Sequence, residues 1–288
     1  MPEITFLYRM KETPDLALNI YRLASPAVTT KSLYLLAEKF GIKEPKIQAR
    51  IQSEEKRLVL AKDKFILQYH RATGAIRFFD QTRWMIDDQH SNIEMSDKKA
   101  IALAKEVITK YKLADEAEYK LVKVTHLHVG SMDEKQSQIS ERVIDVGVIF
   151  QRQLDGIPVL GPGGKIMVYL DAKGELTGIE QIWRPVKELH AKVESFRAPQ
   201  LAEKQMVRFL KQRSIENAQV EDVEIAYFEF GWNSKQTYLQ PAYVFKLNIP
   251  LIGADSFMKS AFVVEAATNA VGTLLKPVKK PVEQVPRK

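Results

Sequence analysis

Hydrophobic and polar residues alternate along the middle of the chain, between Val143 and Pro185. Successive side chains of a β-strand point to opposite faces, so alternation with a period of two indicates strands rather than helix. The apolar positions of the first predicted strand are Ile144, Val146, Val148 and Phe150, and the opposite positions include Asp145, Gly147 and Gln151. Two turn signals, Asp155-Gly156 and Ala172-Lys173-Gly174, divide the stretch. The pattern predicts three antiparallel strands, half buried on one side.

A helix followed by strands is predicted for the first part of the chain. Thr29 and Thr30 can cap a helix, and Gly41 follows it as a glycine often follows a helix C-terminus. The strands predicted after this helix are 57–61, 65–70 and 76–79.

The same order recurs twice further along the chain. Ser96 can cap a helix from Asp97 to Lys112, and Pro199 has the first-turn position of a helix that runs to Arg213. The strands predicted after the second helix are 118–129, 143–153, 166–170 and 175–183. Those predicted after the third helix are 223–231, 238–247, 258–265 and 271–275.

Three copies of this order predict the α+β class, with each helix packed on its own antiparallel meander. The predicted units are 1–90, 91–190 and 191–275, followed by a Pro- and Lys-rich tail at 276–288 that we expect to be flexible.

Composition restricts the chemistry of the chain. It has 288 residues, 45% of them hydrophobic, and no run of about 18 apolar residues that would predict a membrane span. The absence of cysteine excludes disulfides, a thiol nucleophile and Cys-ligated metal sites. The N-terminus lacks the pattern of a secretory signal. We therefore expect a soluble, cytoplasmic protein, or a secreted one if the chain is a trimmed mature form.

The net charge of +7 is concentrated at one end of the chain. From Lys276 onward there are five basic residues and one acidic residue, so the tail accounts for +4 and leaves +3 for the rest. Such a tail is typical of a solubilising end, with a polyanion-binding arm as the alternative. We expect no basic stripe of the kind that a phosphate backbone requires in the folded part, and hence no nucleic-acid partner.

Two segments resemble PepSY-like proteins, a group that includes the PepSY and FTP modules of peptidase propeptides and regulatory ectodomains. They read DGIPVLGPGGKIMVYLDAKGELTGIEQIWRP, which ends at Pro185, and LQPAYVFKL, which ends at Leu247. The resemblance covers residues 96–275 well and 29–80 more loosely. It implies a cystatin-like sheet on a helix and, for most members, a non-catalytic role as inhibitor, chaperone-like prosegment or sensing module.

His126 and His128 flank Leu127, so both imidazoles would share one face of a strand. Such a pair could bind a metal, with Glu141 or Asp145 as a third ligand, or could exchange protons near neutral pH. The plainer interpretation is two polar residues on a solvent-facing side, and no HExxH-type spacing favours a metalloenzyme.

Charged and aromatic residues also fall on the predicted strands. Arg152 and Glu180 could line a polar pocket with the two histidines, or the charged side chains could pair across strands. Trp183, Trp232 and Tyr243 would close a core or, grouped at the mouth of a sheet, bind an apolar ligand. The glycine-rich 161–164 segment precedes a strand rather than a helix, so it predicts a wide turn and not a phosphate site.

Two functional hypotheses follow, and neither needs a cofactor or a metal. The first is a non-catalytic binding or regulatory module for a peptide, a protein or a small apolar ligand. Its contact residues would be Glu180, Trp183, Arg184, Trp232 and Tyr243. The second is a cofactor-independent isomerase, cyclase or lyase. Its acid–base groups would be His126, His128, Glu141 and Arg152.

Overall fold

The structure is a computed structural model that describes residues 4–43, 50–84, 92–132, 139–215, 217–251 and 256–274. The predicted flexible tail lies outside these residues. The helices are α1 (Thr30–Lys39), α2 (Asp97–Lys110) and α3 (Pro199–Gln212), with short 3-10 helices at Gln81–Trp84 and Glu116–Glu118. The first eight strands are β1 (Thr5–Phe6), β2 (Asn19–Leu23), β3 (Arg50–Ser53), β4 (Arg57–Lys62), β5 (Phe65–His70), β6 (Ile76–Asp80), β7 (Tyr119–Met132) and β8 (Ile139–Leu154). The others are β9 (Ile157–Leu160), β10 (Lys165–Leu170), β11 (Leu176–Ile182), β12 (Val186–Lys192), β13 (Gln219–Phe228), β14 (Tyr238–Leu239), β15 (Pro241–Pro250) and β16 (Phe257–Glu265).

The alternating stretch in the middle of the chain forms the antiparallel strands that its pattern predicts. β8 pairs with β10 and β10 pairs with β11, with Val148 opposite Val168 and Val168 opposite Ile179. At the end of β8, Asp155 and Gly156 have φ of 49° and 79°, which are the positive values of a type I′ hairpin turn. The prediction of three antiparallel strands is confirmed for β8, β10 and β11, but the turn at Asp155-Gly156 leads into a fourth, short strand, β9, which is not one of those three.

The starts of the three helices also agree with the sequence. The Thr29 side chain accepts from the Ser32 N–H and the Ser32 side chain accepts from the Thr29 N–H, so both ends of a capping box are formed. Ser96 caps α2, and Pro199 is at the start of α3. These local interactions depend on neighbours in sequence, and for that reason the sequence predicts them well.

The predicted architecture of three repeated helix-plus-meander units, the cystatin-like sheet on helix, is wrong. Thirteen strands are linked in one mixed sheet, and strands make up 46% of the described structure against 18% for helices, so the protein is mostly β. β6 pairs with β11 instead of ending a separate sheet, with Phe78 opposite Ile179. β1 and β9 both run parallel to β13. A strand's pattern shows which face is buried but not which strand lies beside it.

The larger compact unit comprises residues 21–191 and 227–239. Its strands follow the order β9-β8-β10-β11-β6-β5-β4-β3, with β7 beside β8. One core contains residues of both α1 and α2, for example Leu33 and Ile108, together with Val148 of β8. Two helices therefore share one continuous sheet face, where the sequence predicted one helix for each sheet.

The smaller compact unit comprises residues 1–20, 192–226 and 240–288. α3 packs against β16, and the rings of Phe209 and Phe262 are 4.7 Å apart. β15 and β16 form an antiparallel hairpin beside β13. The predicted strand at 271–275 is absent from its described part, 271–274, where the Val271 N–H donates to Gln240 Oε1 at 2.8 Å. None of the described helices has both the length and the apolar composition that a membrane span requires.

Candidate functional site

Three of the predicted site residues lie in one buried cluster of the larger unit. The Arg184 Nη1 is 2.8 Å from Glu229 Oε1, and both side chains are almost fully buried, at 2% and 0% exposed. Arg152 donates to the Arg184 carbonyl at 2.8 Å, and its guanidinium lies 4.9 Å from the centre of the Trp183 ring. Arg184 also donates to the carbonyls of Phe230, Gly231 and Ser234. The cluster therefore fastens one loop to the end of β11.

Glu229 is the centre of this cluster, and burial and two positive charges act on the pKa of its carboxylate in opposite directions. Burial raises the pKa of Glu229, while the positive charges of Arg184 and Arg152 oppose the rise. Its Oε2 atom has no hydrogen-bond partner among the described residues. A Cβ on Gly163 would come within 2.7 Å of the Glu229 Cγ, so the glycine-rich turn packs directly on the CH2 groups of this side chain. The Glu229 side chain is 0% exposed, and the arrangement is that of an internal clamp.

The three aromatic residues predicted to contact a ligand pack against other parts of the protein instead. Trp232 stacks on His70 with ring centres 5.2 Å apart, in the larger unit. Tyr243 is fully buried in the smaller unit, where its hydroxyl donates to the Arg197 carbonyl just before α3. Trp183 packs against the core that includes α1 and α2. These residues do not gather at one mouth of a sheet.

The two histidines pair with carboxylates at the far end of β7. His128 Nδ1 is 3.0 Å from Glu141 Oε1, and His126 Nε2 is 3.7 Å from the carboxylate of Asp97 at the start of α2. The side chains of the closer pair, His128 and Glu141, are about half exposed or more. Among the described residues, no group of three or more His, Asp or Glu side chains is arranged to bind a metal.

The four acid–base residues of the enzyme hypothesis do not meet in one site. On the β7–β8 ladder Glu141 is opposite Gly130, whereas Arg152 is opposite Tyr119. Glu141 and Arg152 are eleven positions apart along β8, which corresponds to roughly 35 Å. Arg152 therefore cannot act on the same small molecule as His128 and Glu141.

A small pocket opens on the sheet face where β6, β7, β8, β10 and β11 lie side by side. Its volume is about 290 Å³. Arg77 Nε and Glu180 Oε1, both of residues that line it, form an ion pair at 2.9 Å. The Tyr169 ring packs against Gly147, where a Cβ would lie only 3.2 Å from the ring. The pocket is lined by Arg77, Thr125, His126, Leu127, Asp145, Gly147, Tyr169 and Glu180. Of the polar pocket predicted from the sequence, Glu180 and His126 line it and Arg152 and His128 do not.

A larger groove lies in the smaller unit, between α3 and the segment that begins with β1. Its volume is about 820 Å³. Three contacts fasten the segment that forms one side: Arg9 pairs with Glu203 at 3.2 Å, Gln200 Nε2 donates to the Lys11 carbonyl, and Thr13 bonds to Tyr243. The groove is lined by Phe6, Arg9, Gln200, Glu203, Lys204, Val207, Arg208, Lys211 and Gln212.

Positive charge dominates this groove. Lys204, Arg208 and Lys211 follow the spacing i, i+4, i+7, so they lie along one side of α3, and all three are exposed. None of the three forms an ion pair with a described residue, whereas Glu203, the one acidic residue of the lining, is paired with Arg9. The groove therefore has a net charge of +3 around the apolar side chains of Phe6 and Val207.

Neither Glu229 nor the row of basic residues on α3 was predicted from the sequence. The expectation that the folded part has no basic stripe suited to a phosphate backbone stays a prediction, and the exposed side of α3 carries a short row of three basic residues. The signal is present in the sequence as three basic residues at helical spacing, opposite the apolar side that marks the helix. Glu229 stands in the otherwise apolar run AYFEF, which marks it as a buried charge that needs a partner.

Comparison with known proteins assigns no family. No protein-family model matches the chain, and no curated protein matches it. Among solved structures, an uncharacterized protein from Eubacterium rectale is 13% identical, with 91% of this chain and 88% of that chain covered and a TM-score of 0.48. A likeness at this TM-score carries no conclusion about fold or function.

Proposed function

We propose that this protein is a non-catalytic binding module and that the groove beside α3 binds an acidic peptide segment. The observation that carries the proposal is the row of three exposed cations without acidic partners among the described residues, set around an apolar centre. Like charges at i, i+4 destabilise a helix by about 0.2–0.5 kcal/mol per pair. A helix that bears them without compensation is well matched to an anionic ligand.

The dimensions of the groove favour a peptide over a small molecule. From Gln200 to Gln212 the groove-lining side of α3 extends over twelve helical steps, about 18 Å at 1.5 Å per residue. An extended peptide of five or six residues has that length. Phe6 and Val207 offer apolar contact to a central side chain, while the cations would meet carboxylates on either side.

The alternatives have less support. The acid–base enzyme requires four groups in one place, and two of them are roughly 35 Å apart along β8. A nucleic acid would use the same cations, but proteins that bind single strands stack successive bases on aromatic rings, and Phe6 is the one aromatic residue among the described residues that line this groove.

The proposal is tested with a fluorescein-labelled, capped hexapeptide of sequence EVEVEV, titrated with the protein in a fluorescence anisotropy assay. A few exposed ion pairs and one apolar anchor predict a dissociation constant on the order of 100 µM at low salt. The charge-reversal variant Lys204→Glu/Arg208→Glu should weaken binding at least tenfold. Raising the salt concentration should weaken it as well, because surface ion pairs are screened.

The matched control is Lys98→Glu/Lys110→Glu, which makes the same change in net charge on α2, where both lysines are exposed. This control should bind the hexapeptide like the wild type. Equal loss in both variants would show a general charge effect and contradict the proposal. Tighter binding of a hexathymidine probe than of the peptide, lost with the same α3 variant, would also contradict it in favour of a nucleic acid.

A further inference from the structure

The backbone of β1 is hydrogen-bonded to another described strand along one edge only. The Thr5 N–H donates to the Ala218 carbonyl and the Leu7 N–H donates to the Val220 carbonyl, at 3.0 and 2.9 Å. Backbone groups of a strand alternate in direction, so the N–H and C=O of Phe6 point away from β13. In the described part of the chain, β1 pairs with β13 alone and therefore forms an edge.

This open edge lies beside the basic groove. Phe6 lines the groove together with α3, and the next two residues, Leu7 and Tyr8, are 64% and 48% exposed. Edge strands with open backbone groups readily accept another strand. An extended segment placed here would have the edge of β1 on one side and the row of basic residues on α3 on the other.

The spacing of the cations suits a strand. Lys204 and Arg208 are four helical residues apart, about 6 Å along the axis, and alternate residues of a strand are about 6.6 Å apart. Carboxylates at alternate positions of a strand could therefore meet both cations at once. A peptide in helical form would present its carboxylates at i, i+4 and would leave the Phe6 backbone groups unused.

Building on the proposed function, we infer that the acidic peptide binds as an added β-strand, hydrogen-bonded to Phe6 of β1, with alternate acidic side chains against α3. Backbone hydrogen bonds then supply affinity that does not depend on the ligand's sequence, and the Lys204, Arg208 and Lys211 row supplies selectivity for acidic residues. The recognised pattern is an acidic residue at every second position.

The test uses the full-length protein and the EVEVEV hexapeptide. Hydrogen exchange of the Phe6 amide, followed by NMR at saturating peptide, should slow at least tenfold, because a new hydrogen bond protects it. Methylation of the peptide nitrogens on one set of alternate residues should weaken binding at least tenfold, and methylation of the other set should have little effect. The isomeric peptide EEEVVV should bind at least threefold more weakly.

Two results would overturn this inference. In the first, the peptide shifts the NMR signals of α3 and its binding is lost in Lys204→Glu/Arg208→Glu, but the Phe6 amide stays unprotected and both methylated peptides bind as well as the parent. The groove then binds peptides in another conformation. In that case the proposed function stands and the added strand does not. If EVEVEV does not bind at all, both proposals fail together.

Discussion

Single residues decide how charge is accommodated inside the larger unit. The Arg184–Glu229 pair is buried, whereas the Arg22–Glu188 pair of the same unit is about half exposed on both sides. The attraction between two buried charges offsets only part of the free energy that they lose with their hydration, and removal of one partner leaves the other charge without that offset. The two pairs therefore differ in their importance for stability although their chemistry is the same.

We expect Glu229→Gln to lower the free energy of unfolding by about 3–5 kcal/mol, because it leaves the Arg184 guanidinium buried without an acidic partner. Glu188→Gln, the matched change in the exposed pair, should cost about 0–1 kcal/mol. Urea denaturation of the two variants at pH 7 measures the difference. A cost at Glu229 no larger than at Glu188 would show that the buried pair contributes little.

His70 makes the free energy of unfolding depend on pH. Burial lowers the pKa of His70 below 6.5, and the nearby Arg57 and Arg77 lower it further. The unfolded chain then binds a proton more readily than the folded one, so the stabilisation is complete above pH 6.5 and is lost as the pH falls through the lowered pKa. The stability difference between wild type and His70→Gln should shrink on acidification from pH 7.5 to 5. Urea denaturation at several pH values measures it, and a constant difference would contradict the assignment.

At the scale of the element, α3 combines a packing side with a binding side. Ala202, Met206 and Leu210 are buried, while Lys204 and Arg208 face solvent with like charges four residues apart. Lys204→Glu should therefore stabilise the free protein slightly, by about 0.5 kcal/mol, because it creates an i, i+4 ion pair with Arg208. The same change should weaken peptide binding. Thermal denaturation and anisotropy on one preparation test both effects, and a destabilised variant would contradict this account.

Elements were predictable where their signals are local. Thr29, Ser96 and Pro199 mark the helix starts through contacts within three residues, and the turn at Asp155-Gly156 needs positive φ at both positions. The α3 groove was not predicted from the sequence. Its second side comes from the N-terminal segment, nearly 200 residues away from Glu203, and no local pattern shows that Arg9 meets this residue.

At the scale of the whole molecule, strand pairing over long sequence distances makes the repeat interpretation fail. The free edge of β6 could pair with any strand of suitable length, and the sequence contains no signal that selects β11, which follows some 100 residues later. The core joins α1 and α2 on one sheet face, so residues of the first predicted unit are buried by the second.

A fragment of residues 24–84, the described helix and strands of the first predicted unit, should therefore not fold alone. Its β6 edge and the apolar faces of α1 and β4–β6 would lose their partners in the rest of the larger unit. Circular dichroism during urea titration should show no cooperative transition. A cooperative transition would mean that this unit is autonomous after all.

The role of the groove beside α3 as the binding site is best tested by titrating the EVEVEV hexapeptide with wild type, Lys204→Glu/Arg208→Glu and Lys98→Glu/Lys110→Glu side by side. We predict equal binding by wild type and the α2 variant and at least a tenfold loss in the α3 variant. Wild-type binding that survives the α3 charge reversal unchanged would contradict it.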